Sequence, residues 1–278
     1  MPSRPPFNRP SSGGKPGATH QQVERRERFE RARRESLRPD PETTVIMYGW
    51  HTVVAALQNP ARRVRRLLAT DNAARRLSDE GIKSKVVPDI VRPGAIAERL
   101  TPDAVHQGLY IEADPLPSPA VEDLPAKGIV LVLDQITDPH NVGAIFRSAS
   151  AFAATAIVTT QRHSPDATGA LAKAASGALE HVPLVNVQNL ARGLAALKQS
   201  GFLVVGLDSS GDADLAGLAL HTPLALVLGA EGKGLRQLTR ETCDHVARID
   251  LPGEIKSLNV SNATALGLYV ASRKLSET

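Results

Sequence analysis

The sequence predicts an α/β protein. A parallel sheet covered by helices fills its C-terminal half, behind a small α/β domain and a basic tail. Three observations predict it. Gly128-Ile-Val-Leu-Val-Leu-Asp134 is a near-continuous apolar run, as a parallel strand buried on both faces requires. Strand-like and helix-like stretches then alternate to the C-terminus, the pattern of helices packed on a parallel sheet. Hydrophobic residues make up 42% of the chain but aromatics only 3%. The cores must therefore be built from Ala, Val, Leu and Ile, which suits helices on a sheet better than a β-sandwich.

Taken in order, residues 1–43 form the tail. They carry ten Lys/Arg against six Asp/Glu, the whole net charge of +4 in a 278-residue chain. Residues 1–20, rich in Pro, Gly, Ser and Arg, are expected to be disordered. Residues 21–38 suit a charged helix, with Glu24–Arg28, Glu27–Arg31 and Glu30–Arg34 in the favourable i,i+4 order. Such a tail is either a solvated extension or an arm with non-specific attraction for phosphates.

Residues 44–113 read as a small α/β domain. Thr52–Leu57 suits a helix stopped by Asn59-Pro60, and Val64–Ala69 a strand. A helix over Asn72–Glu80, a strand over Lys83–Val87, a helix over Pro93–Leu100 and a strand over Leu109–Ala113 complete it. Residues 114–127 contain four prolines and read as a linker. Residues 128–278 form the second domain. Its further strands are expected at Ala156–Thr159, Pro183–Val187, Phe202–Leu207, Pro223–Leu228 and Val246–Ile249. Helices are expected at Asn141–Phe152, Leu190–Gln199, Leu235–Thr242 and Asn259–Leu275.

Several function classes are excluded. No run of 18 or more apolar residues exists, so no membrane span is expected. The N-terminus has no apolar core of a secretory signal. The single cysteine, Cys243, can form neither an internal disulfide nor a multi-cysteine zinc site. These features point to the cytoplasm and to no metal. The chain after Asp134 lacks G-x-G-x-x-G, so it is not a Rossmann dinucleotide site. Gly229–Gly234 fails as a P-loop, because the spacing before Lys233 is short and Gly234 replaces the Ser or Thr that binds magnesium.

Three segments remain at expected C-terminal strand ends, where open α/β sheets bind ligands. They are Asp138–Phe152, Leu226–Leu235 and Ile249–Ala263. Each alone also reads as a turn or a helix cap. Together they resemble the three signature motifs of the SpoU (TrmH-type) RNA ribose methyltransferases of the SPOUT class. Asn141, Gly143, Arg147 and Ala149 match the first motif. Gly229, Glu231, Gly234 and Leu235 match the second. Pro252 and Ser257-Leu-Asn-Val-Ser261 match the third. Gly49, His51, Val53, Ala56 and Leu57, with His106-Gln107-Gly108, resemble the substrate-binding domain that precedes this catalytic domain.

The resemblance implies a trefoil knot in the C-terminal sheet, a homodimer, and S-adenosyl-L-methionine (AdoMet) as cofactor. It implies methylation of a ribose 2′-hydroxyl, in the two-domain subtype on a guanosine of 23S ribosomal RNA. Transfer RNA is an alternative target, and a non-catalytic ribosome-assembly factor is the non-enzymatic alternative. Carried onto this sequence, Leu228, Gly229, Ile249, Leu251, Ser257 and Leu258 would hold AdoMet. Asn141, Arg147, Glu231, Asn259 and Ser261 would form the catalytic group. Arg147 would be the base in the family scheme, but a guanidinium stays protonated, and holding a phosphate or stabilising charge on the 2′-oxygen is the easier task. His51, Arg62, Arg63, Arg65 and Arg66 would contact RNA.

Overall fold

The computed structural model describes residues 44–160 and 169–277. The basic tail and its expected helix lie outside the described residues. Two sheets organise the described chain.

The first sheet contains β1 (Val45–Tyr48), β2 (Val64–Ala69), β3 (Asp89–Ile90) and β4 (Leu109–Ala113), in the order β1-β4-β2-β3. It is mixed: β4 is antiparallel to β1 and β2, and β3 is parallel to β2. Helices α1 (Trp50–Gln58), α2 (Asp71–Asp79) and α3 (Pro93–Ala97) join the strands. The Thr70 hydroxyl caps α2 by accepting from the Ala73 amide, and Pro93 opens α3 with the fixed φ a first turn needs. The strand expected over Lys83–Val87 does not form. The Ser84 hydroxyl instead closes a local turn with both backbone groups of Val86, and Val87 stands 86% exposed. The short β3 comes two residues later. β1, which the sequence reading did not identify, pairs with β4 along its whole length.

The second sheet has seven strands, all parallel, in the order β7-β6-β5-β10-β8-β11-β9. These are β5 (Ile129–Asp134), β6 (Ala156–Thr160), β7 (Leu184–Val187), β8 (Leu203–Leu207), β9 (Ala213–Asp214), β10 (Leu224–Gly229) and β11 (His245–Arg248). Helices α4 (Pro139–Ala151), α5 (Gly169–Ala175), α6 (Leu190–Gln199), α7 (Gln237–Thr242) and α8 (Val260–Ser276) pack on it. β5 is buried at every residue. Its alternate side chains serve two cores: Ile129, Leu131 and Leu133 join α4 and α8, whereas Val130 and Val132 join α6. That is the period of two expected of a strand covered on both faces.

The proline-rich segment 114–127 is not a free spacer. It forms a 3-10 turn at Val121–Asp123, and Val121 and Leu124 are buried in the core beneath α6.

The first sheet's core crosses onto the second domain. Ala172 of α5 lies in the same buried cluster as Met47, Trp50 and Leu67, with Leu179 packed against it. The Thr52 hydroxyl donates to the Ala172 carbonyl at 3.2 Å, and Lys173 Nζ to the Val105 carbonyl at 2.7 Å.

Candidate active site

The site is built from what happens just beyond three strand ends. β10 ends at Gly229, and the chain folds back so that Ala230 bridges Gly234. A Cβ on Gly229 would stand 2.2 Å from the Gly234 carbonyl carbon and 2.5 Å from the Leu235 nitrogen, so only glycine permits the fold-back.

Two carboxylates pin this loop from neighbouring strands. Asp134, the last residue of β5, accepts from the Arg236 amide at 3.1 Å and from its Nε at 2.6 Å. Asp208, just after β8, accepts from the Leu235 amide at 3.2 Å. Burial alone would raise the Asp208 carboxyl. Hydrogen bonds from Ser210 and Leu235 and the charge of Arg240 outweigh burial and hold it below the usual carboxylate range. The sequence reading missed Asp134, Asp208 and Arg236. The visible signal was an acidic residue ending each of two apolar strands.

The catalytic candidates meet around Glu231. Its Oε1 accepts from Asn259 Nδ2 at 2.5 Å, from the Val260 amide at 3.1 Å and from Asn141 Nδ2 at 3.4 Å. Asn259 Nδ2 also donates to Asn141 Oδ1 at 2.9 Å. Asn259 Oδ1 caps α8, accepting from the Ser261 amide at 2.9 Å and hydroxyl at 2.5 Å. Asn141 stands in the first turn of α4, where Asp138 caps the helix by accepting from the His140 and Asn141 amides. One residue from each motif thus enters a single network, with Ser261 at its edge.

A cavity of about 530 Å³ opens beside this network. All six residues proposed to hold AdoMet line it: Leu228, Gly229, Ile249, Leu251, Ser257 and Leu258. Its size lies within the roughly 300–1,000 Å³ of small-molecule sites. A second cavity, about 420 Å³, adjoins it and is lined by Gln135, Asp138 and Asn141. Ala230, Glu231, Lys233 and Val260 line both cavities and form the wall between them.

Arg147 is not brought into the network. It lies six residues beyond Asn141 on α4, about 9 Å along the axis. It is exposed and lines neither cavity. Gly143 of the same motif has a packing task. A Cβ there would meet the Ala174 Cβ at 2.3 Å, so glycine lets α4 and α5 cross closely.

The first-domain candidates divide. Arg62 cannot contact RNA, which corrects the sequence expectation. Its side chain is 4% exposed and its guanidinium pairs with Glu180 of the second domain, itself fully buried. Arg63 and Arg65 pair with Asp114, and Arg66 pairs with Asp89. These three remain at least partly exposed. His51 is exposed on α1. No group of three or more His, Cys, Asp or Glu that could hold a metal occurs among the described residues.

Comparison with known proteins decides what this arrangement belongs to. The SpoU rRNA methylase family model matches residues 128–269. A model described as RNA 2′-O ribose methyltransferase substrate binding matches residues 46–119. The chain belongs to the SpoU rRNA methylase family. Membership makes it an RNA 2′-O-methyltransferase that works with AdoMet. The 23S rRNA (guanosine-2′-O-)-methyltransferase RlmB of Pseudomonas putida is 39% identical over 240 residues, covering 82% of this chain and 96% of that protein. The RlmB of Ralstonia nicotianae is 37% identical, covering 83% and 96%. Among solved structures, the SpoU methyltransferase AviRb from Streptomyces viridochromogenes in complex with AdoMet superposes with a TM-score of 0.71. It is 24% identical and covers 89% of this chain and 93% of that one, a likeness of fold.

The larger cavity fits AdoMet on chemical grounds. Leu228, Ile249, Leu251 and Leu258 offer an apolar slot for a purine, while Asp208, Ser210 and Ser257 supply polar groups at its margin.

Proposed function

We propose that the protein methylates the ribose 2′-hydroxyl of a guanosine in 23S ribosomal RNA, acting in the cytoplasm as a homodimer. The observation that carries this reading is the wall shared by two cavities. Donor and acceptor must approach in line, with the reacting atoms about 3–3.5 Å apart. Adjacent cavities separated only by Ala230, Glu231, Lys233 and Val260 suit a cofactor on one side and a nucleotide on the other. The choice of target rests on the RlmB relatives, which the chain matches almost end to end.

The larger cavity holds AdoMet, which supplies a methyl group already activated on a sulfonium. Leu228, Gly229, Ile249, Leu251, Ser257 and Leu258 position it. Asn141, Glu231, Asn259 and Ser261 orient the acceptor ribose. Their mutual hydrogen bonds fix the rotamers in advance, so little ordering is left to the moment of reaction. Arg147 holds the phosphate beside the acceptor nucleotide. Its exposed guanidinium, six residues from Asn141 on one helix, suits contact with the RNA backbone. His51, Arg63, Arg65 and Arg66 contact RNA away from the target.

The homodimer reading is supported by apolar side chains left bare near the site. Leu266 and Tyr269, one turn apart on α8, are 41% and 54% exposed, and Ile255 on the preceding loop is 78% exposed. A partner packed there would sit against the AdoMet cavity. The family's knot accords with Asn259, past the last strand, reaching back to both Asn141 and Glu231.

Two experiments test the reaction and its target, and a third tests the assembly. Mapping of 2′-O-methyl groups in cells lacking the protein should show one guanosine of 23S ribosomal RNA unmodified. Loss in transfer RNA instead, or no loss, overturns the target. Arg147→Ala should abolish turnover while calorimetry still records AdoMet binding. Methylation near the wild-type rate would remove Arg147 from the mechanism. Sedimentation should give twice the 29.6 kDa chain mass.

A further inference from the structure

A cavity in the first domain stands apart from the catalytic network and the AdoMet slot. It encloses about 310 Å³ and lies where β1, β2 and β3 run into their following helices. Trp50, the chain's only tryptophan, lies in its wall together with Arg76, Asn72 and His106. The Arg76 guanidinium lies over the indole, 3.7 Å from the ring centroid. Its Nε donates to Glu80 at 2.7 Å, and the side chain is still 55% exposed. The guanidinium is thus held between the tryptophan and the cavity, tied at one end to Glu80.

The polar groups around this guanidinium are prepared for a ligand. The Asn72 side chain is exposed, and its amide offers both a donor and an acceptor. His106 Nδ1 accepts from the Gly108 amide at 3.0 Å, so the neutral ring carries its proton on Nε2. Burial, then the charge of Lys173, lowers the pKa of His106, which keeps the ring neutral at neutral pH. The Gln107 side-chain oxygen Oε1 already accepts from the Trp50 amide at 2.9 Å.

From these features we infer that this cavity receives one unpaired nucleobase of the RNA substrate, stacked on Arg76 and read along its edge by Asn72 and His106. The inference rests on the protein being an RNA methyltransferase. Single-stranded RNA is recognised in this way: bases splay out, stack on aromatic rings or guanidinium planes, and bond along their edges. A phosphate would need a converging set of cations, whereas this cavity offers one cation, already seated on an indole, and two neutral edge-readers. The site lies in the first domain, away from the catalytic network, and so would select the RNA rather than the reacting atom.

The lone tryptophan makes the site directly observable. Full-length protein is titrated with a single-stranded oligoribonucleotide, with the same strand in a perfect duplex, and with the four nucleoside 5′-monophosphates. Trp50 emission should change saturably with the single strand, much less with the duplex, and with the mononucleotides only at far higher concentration. Arg76→Ala should raise the KM for RNA by at least about fivefold, as loss of one stacked base does, with kcat unchanged. Arg76→Lys should not rescue it, because an ammonium cannot form a stacking plane. Asn72→Ala, at an exposed position, should raise KM in the same sense and guards against a folding defect in the arginine variants. Emission unmoved by bound single strand, an equal response to duplex, equal affinity for a mononucleotide, or an unchanged KM in both alanine variants would each overturn the inference. If wild-type protein transfers no methyl to RNA, the underlying reading fails instead.

Discussion

Asn259 carries two tasks on one amide. Its Oδ1 caps α8, and its Nδ2 ties Asn141 to Glu231. A capping residue alone could be Ser, Asp or Asn at similar cost. Reaching both partners needs the longer amide with its donor. Asn259→Ser therefore separates the tasks. The cap survives, so the melting temperature should move by no more than about 2 °C, since serine and asparagine cap comparably. The bridge is lost, so kcat should fall at least about tenfold, as when a preorganised hydrogen-bonding group is removed. Thermal unfolding and single-turnover methylation measure the two effects. Parallel loss of both would mean that Asn259 acts only through the helix.

At the scale of elements, legibility followed locality. β5, α4, α6 and α8 were readable because burial on both faces, capping residues and apolar periodicity are written within each segment. The three motifs were readable because they cluster residue types that turns and caps do not need together. The Asp134–Arg236 bond was not, because its partners are 102 residues apart and a carboxylate ending a strand has no local mark of its partner. The crossing of α4 and α5 was hidden for the same reason: Gly143 looked like a motif residue, and only the fold shows Ala174 against it.

The packing of α7 on β8 is equally non-local. Cys243, at the end of α7, packs against Gly206 of β8, and its thiol donates to the Thr239 carbonyl at 3.2 Å. Burial first, and the neighbouring Asp244 second, push its pKa up to about 11. The thiolate is the reactive form. At pH 8 this thiol should thus alkylate about two orders of magnitude more slowly than a free cysteine of pKa about 8.5. With a single cysteine in the chain, iodoacetamide labelling followed by mass spectrometry gives the rate directly. Labelling at the rate of free cysteine would show that the α7–β8 packing opens readily.

For the whole molecule, the consequential contact is the one the sequence concealed. Arg62 reads as one of a basic cluster, yet it is an anchor between two domains. Its Nε donates to both Glu180 oxygens at 3.1 Å, its Nη2 to Oε1 at 2.6 Å, and its Nη1 to the Asp114 carbonyl at 2.8 Å. Asn59 Nδ2 adds a bond to Glu180 at 2.7 Å. Ala172 and Leu179 of the second domain also pack with the first domain's core. α5 therefore touches the first sheet on one side and α4, with Asn141 and Arg147, on the other. A domain docked so closely would hold bound RNA at a fixed setting relative to the catalytic helix, instead of leaving it on a loose tether.

The energetics make this testable. Removing one partner of a buried ion pair strands the other charge and costs about 3–5 kcal/mol, whereas replacing both with apolar groups is near neutral. Glu180→Ala should accordingly lower the urea midpoint by that amount of stability. It should also raise KM for RNA more than KM for AdoMet. Arg62→Met combined with Glu180→Met should recover at least half of the lost stability. A loss below about 1 kcal/mol in Glu180→Ala, the size of an exposed pair, would mean that the domains do not depend on this anchor. The double variant carries the sharper outcome. If its stability returns while RNA affinity stays low, the pair sets the angle between the domains. If both return, apolar packing through Ala172 and Leu179 sets it.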